Sequence, residues 1–131
     1  MRLKYLTTAA RILMGLIFFV FGLNGFFDFI PHPTTPMPQG AMAFAGALMG
    51  SGYFFPLLKG TEVLVGLLLL GNRFVPLALA IVAPIIVNIA AFHVFLASSG
   101  VVFALIIVAL EIYLAWSYRL AYRTMLVARS A

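Results

Sequence analysis

Four long apolar runs dominate the chain, separated by short segments rich in proline, glycine or small polar residues. Each run approaches the about 20 residues that a helix needs to cross a bilayer core of about 30 Å. They lie at about 6–29, 54–71, 74–96 and 101–123. Between the first two, "IPHPTTPMPQG" (30–40) carries four prolines, which forbid regular helix. "AMAFAGALMGSG" (41–52) is apolar but too short to span. It predicts a short outer helix over about 41–51, interfacial or re-entrant, whose Gly46 and Gly50 permit close approach of a neighbour. "GNR" (71–73) and "ASSG" (97–100) are tight turns, so the second, third and fourth runs are sequential antiparallel neighbours. The pattern predicts one all-α domain over residues 1–131. Its architecture is an integral membrane four-helix bundle with an extra short interfacial helix in the first loop.

Composition agrees. Of the 131 residues, 65% are hydrophobic and 8% charged, against about 45–50% and about 25% in soluble domains. No cysteine is present, which excludes disulfides, thiolate metal sites and dithiol chemistry within the chain. A net charge of +5 raises the question of nucleic acid. The bases instead sit at run ends: Arg2, Lys4 and Arg11; Arg73; then Arg119, Arg123 and Arg129. The proline loop and "ASSG" carry none. The positive-inside rule therefore predicts a bacterial-type inner (cytoplasmic) membrane protein with both termini cytoplasmic, and no nucleic-acid partner. The first run is too long for a signal core, contains Arg11 and lacks a small-x-small cleavage site, so it reads as a retained span.

All three acids, Asp28, Glu62 and Glu111, fall within runs or at a run edge. At about 1.5 Å per residue, Asn24, Asp28, Lys59 and His93 lie within roughly 10 Å of the outer end. Glu62, Asn88 and Glu111 lie roughly 12–17 Å down, and Arg11 is near the cytoplasmic side. Arg11, Gly15, Phe18, Gly22, Gly25 and Asp28 step by three or four and share a glycine-rich packing face. Lys59, Glu62 and Gly66 share a face likewise. His93 lies five residues after Asn88, about 140° around the helix. Pro84 frees a carbonyl near Ala80, which needs a partner inside the bundle. Intramembrane charges are costly and mark functional sites by default. An i,i+3 pair is worth only about 0.2–0.5 kcal/mol in water, so a wider network around Lys59 and Glu62 is expected. A register-fixing ion pair and a snorkelling Lys59 are the competing readings. Arg11 and Glu111 are expected to form a structural pair across the lower half, and the phenylalanines of the outer half to pack there or to wall a ligand. No Glu-x-x-His motif supports a di-iron site, and no metal, haem or flavin fingerprint is present; His32 with His93 is the one conceivable haem pair.

"ARILMGLIFFVFGLNGFF", "PLLKGTEVLVGLLLLGNRFVPLALAI" and "NIAAFHVFLA" resemble the DoxX-like family of small four-span membrane proteins. The resemblance covers most of residues 9–97 and rests on Arg11, Gly22, Gly25, Glu62 and His93. Where many members carry a lysine after the first-span glycine, this chain has Asn24 or Asp28. The resemblance implies a subunit linked to quinone or thiosulfate oxidation, a partner in oxidative-stress complexes, or an assembly factor. The expected ligand-binding or proton-relay residues are Glu62, His93, Asn88, Lys59, Asn24 and Asp28, with a quinone as the implied cofactor. The expected role is an accessory subunit, within a membrane oxidoreductase, that holds a small amphipathic molecule in a polar outer-half pocket. A stand-alone enzyme is not expected, because no nucleophile–base constellation exists. Two alternatives stay open: a structural or assembly protein that recruits a membrane partner or a second copy, and a proton-coupled small-solute carrier using Glu62 and Glu111.

Overall fold

The computed structural model describes residues 2–129. It is all-helical, with no strand among the described residues. The helices are α1 (Arg2–Phe27), α2 (Gln39–Gly50), α3 (Phe54–Leu70), α4 (Val75–Phe95) and α5 (Val101–Ser117). Single 3-10 turns at Ser98–Gly100 and Arg119–Tyr122 flank α5. Among the described residues three segments are long and apolar enough to cross a membrane: Arg2–Phe27, Val75–Phe95 and Ser98–Ser117. A fourth exists if α2 and α3, bent from one another by 91°, count as one broken span. Alone, the 17 residues of α3 extend about 26 Å.

α1 and α3 form the most intimate pair, and they run antiparallel. Gly15 meets Leu69 and Leu70, Gly66 meets Phe19, and Gly22 meets Val63. A Cβ on Gly66 would stand 2.5 Å from the Phe19 backbone nitrogen, and one on Gly22 2.9 Å from that of Val63. Only glycine allows the two backbones so close. α4 packs on α3 and α5, and α5 closes on α1, where Thr7 and Tyr113 share a hydroxyl hydrogen bond of 3.2 Å. The core between them contains Met14, Phe18, Val65, Leu69, Leu79, Val82, Ile107 and Leu114. Large apolar side chains also cover the outside: Leu67, Val87 and Ile112 are 51%, 68% and 64% exposed. In water such a surface would aggregate; against acyl chains it is the expected finish.

Two helix ends differ from the expected ones. α1 stops at Phe27 because Asp28 adopts a left-handed φ of 50°. The Asp28 N–H donates to the Asn24 carbonyl at 2.8 Å, and the Ile30 N–H to Asn24 Oδ1 at 2.8 Å. α5 stops at Ser117 rather than near 123. There the chain turns so that Tyr122 Oη donates to the Pro76 carbonyl at the base of α4, at 2.7 Å. Hydropathy does not register this end, because Leu120, Met125 and Leu126 prolong the apolar run. On α2, the space around Gly46 and Gly50 is open, so neither packs against another helix among the described residues.

Candidate functional site

Lys59 and Glu62 are one helical turn apart on α3, and their ammonium and carboxylate meet at 3.2 Å. Glu62 is 4% exposed. The Lys59 stem lies where a Cβ of Gly25 would be, so the glycine exit of α1 makes the space in which the lysine folds toward Glu62. Its ammonium also sits 5.7 Å from the centre of the Phe55 ring.

His93 comes from the last turn of α4. Its Nδ1 lies 3.1 Å from the Ala97 carbonyl oxygen. That carbonyl only accepts, so Nδ1 carries the proton and donates; in the neutral ring Nε2 is then an acceptor. The ring packs edge-on to Phe92 at 5.2 Å and fills the place of a Cβ on Gly100. Gly100 thus allows the turn before α5 to pass directly over the imidazole.

These three side chains line one cavity of about 390 Å³, with Ile17, Phe18, Phe21, Ile89, Phe103 and Ile107 as its walls. The volume falls in the range of small-molecule sites, and so does the chemistry of apolar walls with a few convergent polar groups. Phe21 and Phe103, 5.6 Å apart, form an aromatic pair on it. The polar edge offers an ammonium donor, a carboxylate acceptor and an imidazole acceptor.

Asn24 and Asp28 stand in an adjoining cavity of about 320 Å³, which Lys59, Phe21, Gly25 and His32 also line. Asp28 pairs with His32 at 2.8 Å, both largely exposed. Asn24 Oδ1 is committed to the Ile30 N–H, so its role in the chain is to close α1. Asn88 does not join the cluster. It is exposed on the outer face of α4, because Ile89 and His93, four residues apart, turn the adjacent face inward.

Arg11 and Glu111 do not pair with each other. The Arg11 guanidinium is buried and donates to the carbonyl of Leu69 and, at 3.4 Å, to that of Leu70. These are last-turn carbonyls of α3, which lack helical partners and carry the negative end of the helix dipole. Arg11 therefore caps α3 from α1. Glu111 Oε2 is buried with no hydrogen-bond partner among the described residues. No group of three or more His, Asp or Glu side chains gathers to hold a metal ion among the described residues.

Several contributors were not singled out by the sequence reading. Phe21 follows Phe18 by one helical turn, a spacing that marks it as facing the same interior. Phe103, Ala97 and Gly100 leave no such signal, because their roles arise from how the α4–α5 turn folds over His93. No known family, no characterised protein and no solved structure matches this chain.

Proposed function

We propose that this chain is a four-span inner-membrane protein with cytoplasmic termini that holds a small amphipathic, quinone-like molecule. The binding site is the cavity shared by Lys59, Glu62 and His93, near the outer face. Their convergence on one apolar-walled space is the observation that carries the reading. A ligand with carbonyl or hydroxyl oxygens fits the donor set. The Lys59 ammonium has protons beyond the one given to Glu62, and these can be donated to a carbonyl. His93 Nε2 can accept from a hydroxyl. Phe21 and Phe103 suit a flat ring. A bound quinone would supply redox chemistry that no side chain here possesses, while the protein's residues orient it and exclude lipid. The DoxX-like resemblance implies the same role, within a membrane oxidoreductase.

Gently purified protein should carry an ultraviolet-absorbing molecule that responds to borohydride. Its occupancy should fall with Glu62→Gln and with His93→Ala. Protein that carries no such molecule, in wild type and variants alike, rejects the reading. The open glycine face of α2, Gly46 and Gly50, favours a second reading, an assembly factor that recruits a partner helix. Under that reading both substitutions leave partner capture unchanged.

A further inference from the structure

A second groove of about 530 Å³ lies between α4 and α5, toward the end that carries both helix bases. Leu79, Ala83 and Met125 are among its apolar walls, and Glu111, Trp116 and Tyr122 are its polar and aromatic members. It shares no lining residue with the outer cavity.

Glu111, Tyr122 and the Ala80 carbonyl present acceptors to this groove, and the Trp116 indole N–H and the Arg119 guanidinium are its donors. Glu111 Oε2 is buried without a partner among the described residues, a state that is costly wherever it lasts. Tyr122 has already given its one proton to the Pro76 carbonyl, so its oxygen can only accept. Pro84 inside α4 has no N–H, so the carbonyl of Ala80, which lines the same groove, lacks its usual i+4 donor. Arg119 turns its guanidinium to Trp116 and makes no ion pair with Glu111 among the described residues. It donates to the Trp116 carbonyl at 3.0 Å and stacks 4.6 Å over the indole. Among the described residues Glu111 makes no ion pair.

A complementary ligand must bring donors and an apolar body, and a buried carboxylate favours one that also brings positive charge. We infer that this groove is a binding site for an amphipathic amine, its ammonium on Glu111 and its hydrocarbon portion along α4 and α5. The site is independent of the outer cavity and of what that cavity holds.

Trp116, the only tryptophan in the chain, lines this groove and a neighbouring one beside Arg11 and Tyr113, so its fluorescence follows binding at either, and substitutions at Glu111 and Ala83 assign a change to this groove. Octylamine titrated into the full chain in lipid nanodiscs should give a saturable change in that emission, and 1-octanol should not. Glu111→Gln should weaken octylamine at least tenfold. Ala83→Leu, which fills the groove and keeps the carboxylate, should do the same and decides the matter should Glu111→Gln fail to fold. His93→Ala and Glu62→Gln, which touch only the outer cavity, should leave the titration unchanged. Octanol binding as well as octylamine, a response that never saturates, or undiminished affinity in a folded Glu111→Gln or Ala83→Leu protein would overturn the inference.

Discussion

A carboxylate removed from water loses several kcal/mol of hydration, and Glu62 regains part of it only through Lys59 at 3.2 Å. The two residues therefore depend on each other unequally. Lys59 is the more exposed and has a second cavity, beside Asp28, into which its head can turn. Glu62 has no comparable outlet. Lys59→Met should destabilise the protein by about 3 kcal/mol, the low end for a broken buried pair. Glu62→Gln should cost about 1 kcal/mol, as for a lost hydrogen bond. The double substitution should cost less than the sum, with a coupling of about 1–3 kcal/mol. Thermal unfolding of the four proteins in one detergent measures this; additive costs would mean that the pair is not coupled. The sequence makes the pairing legible, because an i,i+3 spacing on a helix leaves little choice. The company it keeps is less legible. Spacing placed Asn88 and His93 about 140° apart. Only the packing of α4 decides that His93 turns inward and Asn88 outward. Arg11 shows the same limit. Its opposite charge on Glu111 invited a pair, but the carbonyls ending α3 lay nearer, and a backbone acceptor leaves no mark in a sequence.

Among the helices, the α1–α3 contact sets everything else, since it fixes the height of Lys59 and Glu62 against the exit of α1. It depends on glycines whose missing side chains are the contact. Gly66→Ala drives a methyl group into the Phe19 backbone, with Cα and nitrogen 2.7 and 2.5 Å away. Backbone cannot yield as a side chain tip does. That substitution should separate the helices, lower the melting temperature by several degrees and reduce ligand occupancy. Gly46→Ala meets open space and should leave both quantities unchanged. Equal effects at the two positions would contradict the register described for α1 and α3. The glycine-rich face of α1 was readable as a packing face from its three-and-four spacing. Gly46 and Gly50 of α2 have the same spacing and no partner among the described residues. A small-residue motif records that close approach is permitted, not that it occurs within one protomer. Helix ends were legible where glycine or proline marks them, at 71–73 and 97–100. They were not where a side chain ends the helix within an apolar run, as Tyr122 does beyond α5.

At the scale of the whole molecule, the all-helical fold follows from four apolar runs and their breakers. The orientation proposed for it follows from seven bases at one set of helix ends. Because the chain contains no cysteine, single cysteines report topology without background. Ser99→Cys, in the turn between α4 and α5, should react with an impermeant maleimide added to intact cells. Asn72→Cys, in the turn between α3 and α4, should react only after the membrane is opened. The reverse pattern would turn the molecule over and place the Lys59–Glu62–His93 cavity on the cytoplasmic side. What no linear pattern conveyed is the cavity itself. It needs the lysine stem over Gly25, the imidazole under Gly100 and the gap between Phe21 and Phe103. Each of these is a product of assembly.

The most direct measurement is a binding isotherm for a short-chain benzoquinone on the purified chain, in wild type, His93→Ala, Gly100→Ala and Glu111→Gln. The wild type should bind one equivalent saturably. His93→Ala should weaken binding at least tenfold. Gly100→Ala, which displaces the ring and removes no polar group, should weaken it as well, while Glu111→Gln, on the other groove, should bind as the wild type does. Binding that does not saturate, or that survives His93→Ala and Gly100→Ala undiminished, would contradict a quinone-like ligand held by Lys59, Glu62 and His93.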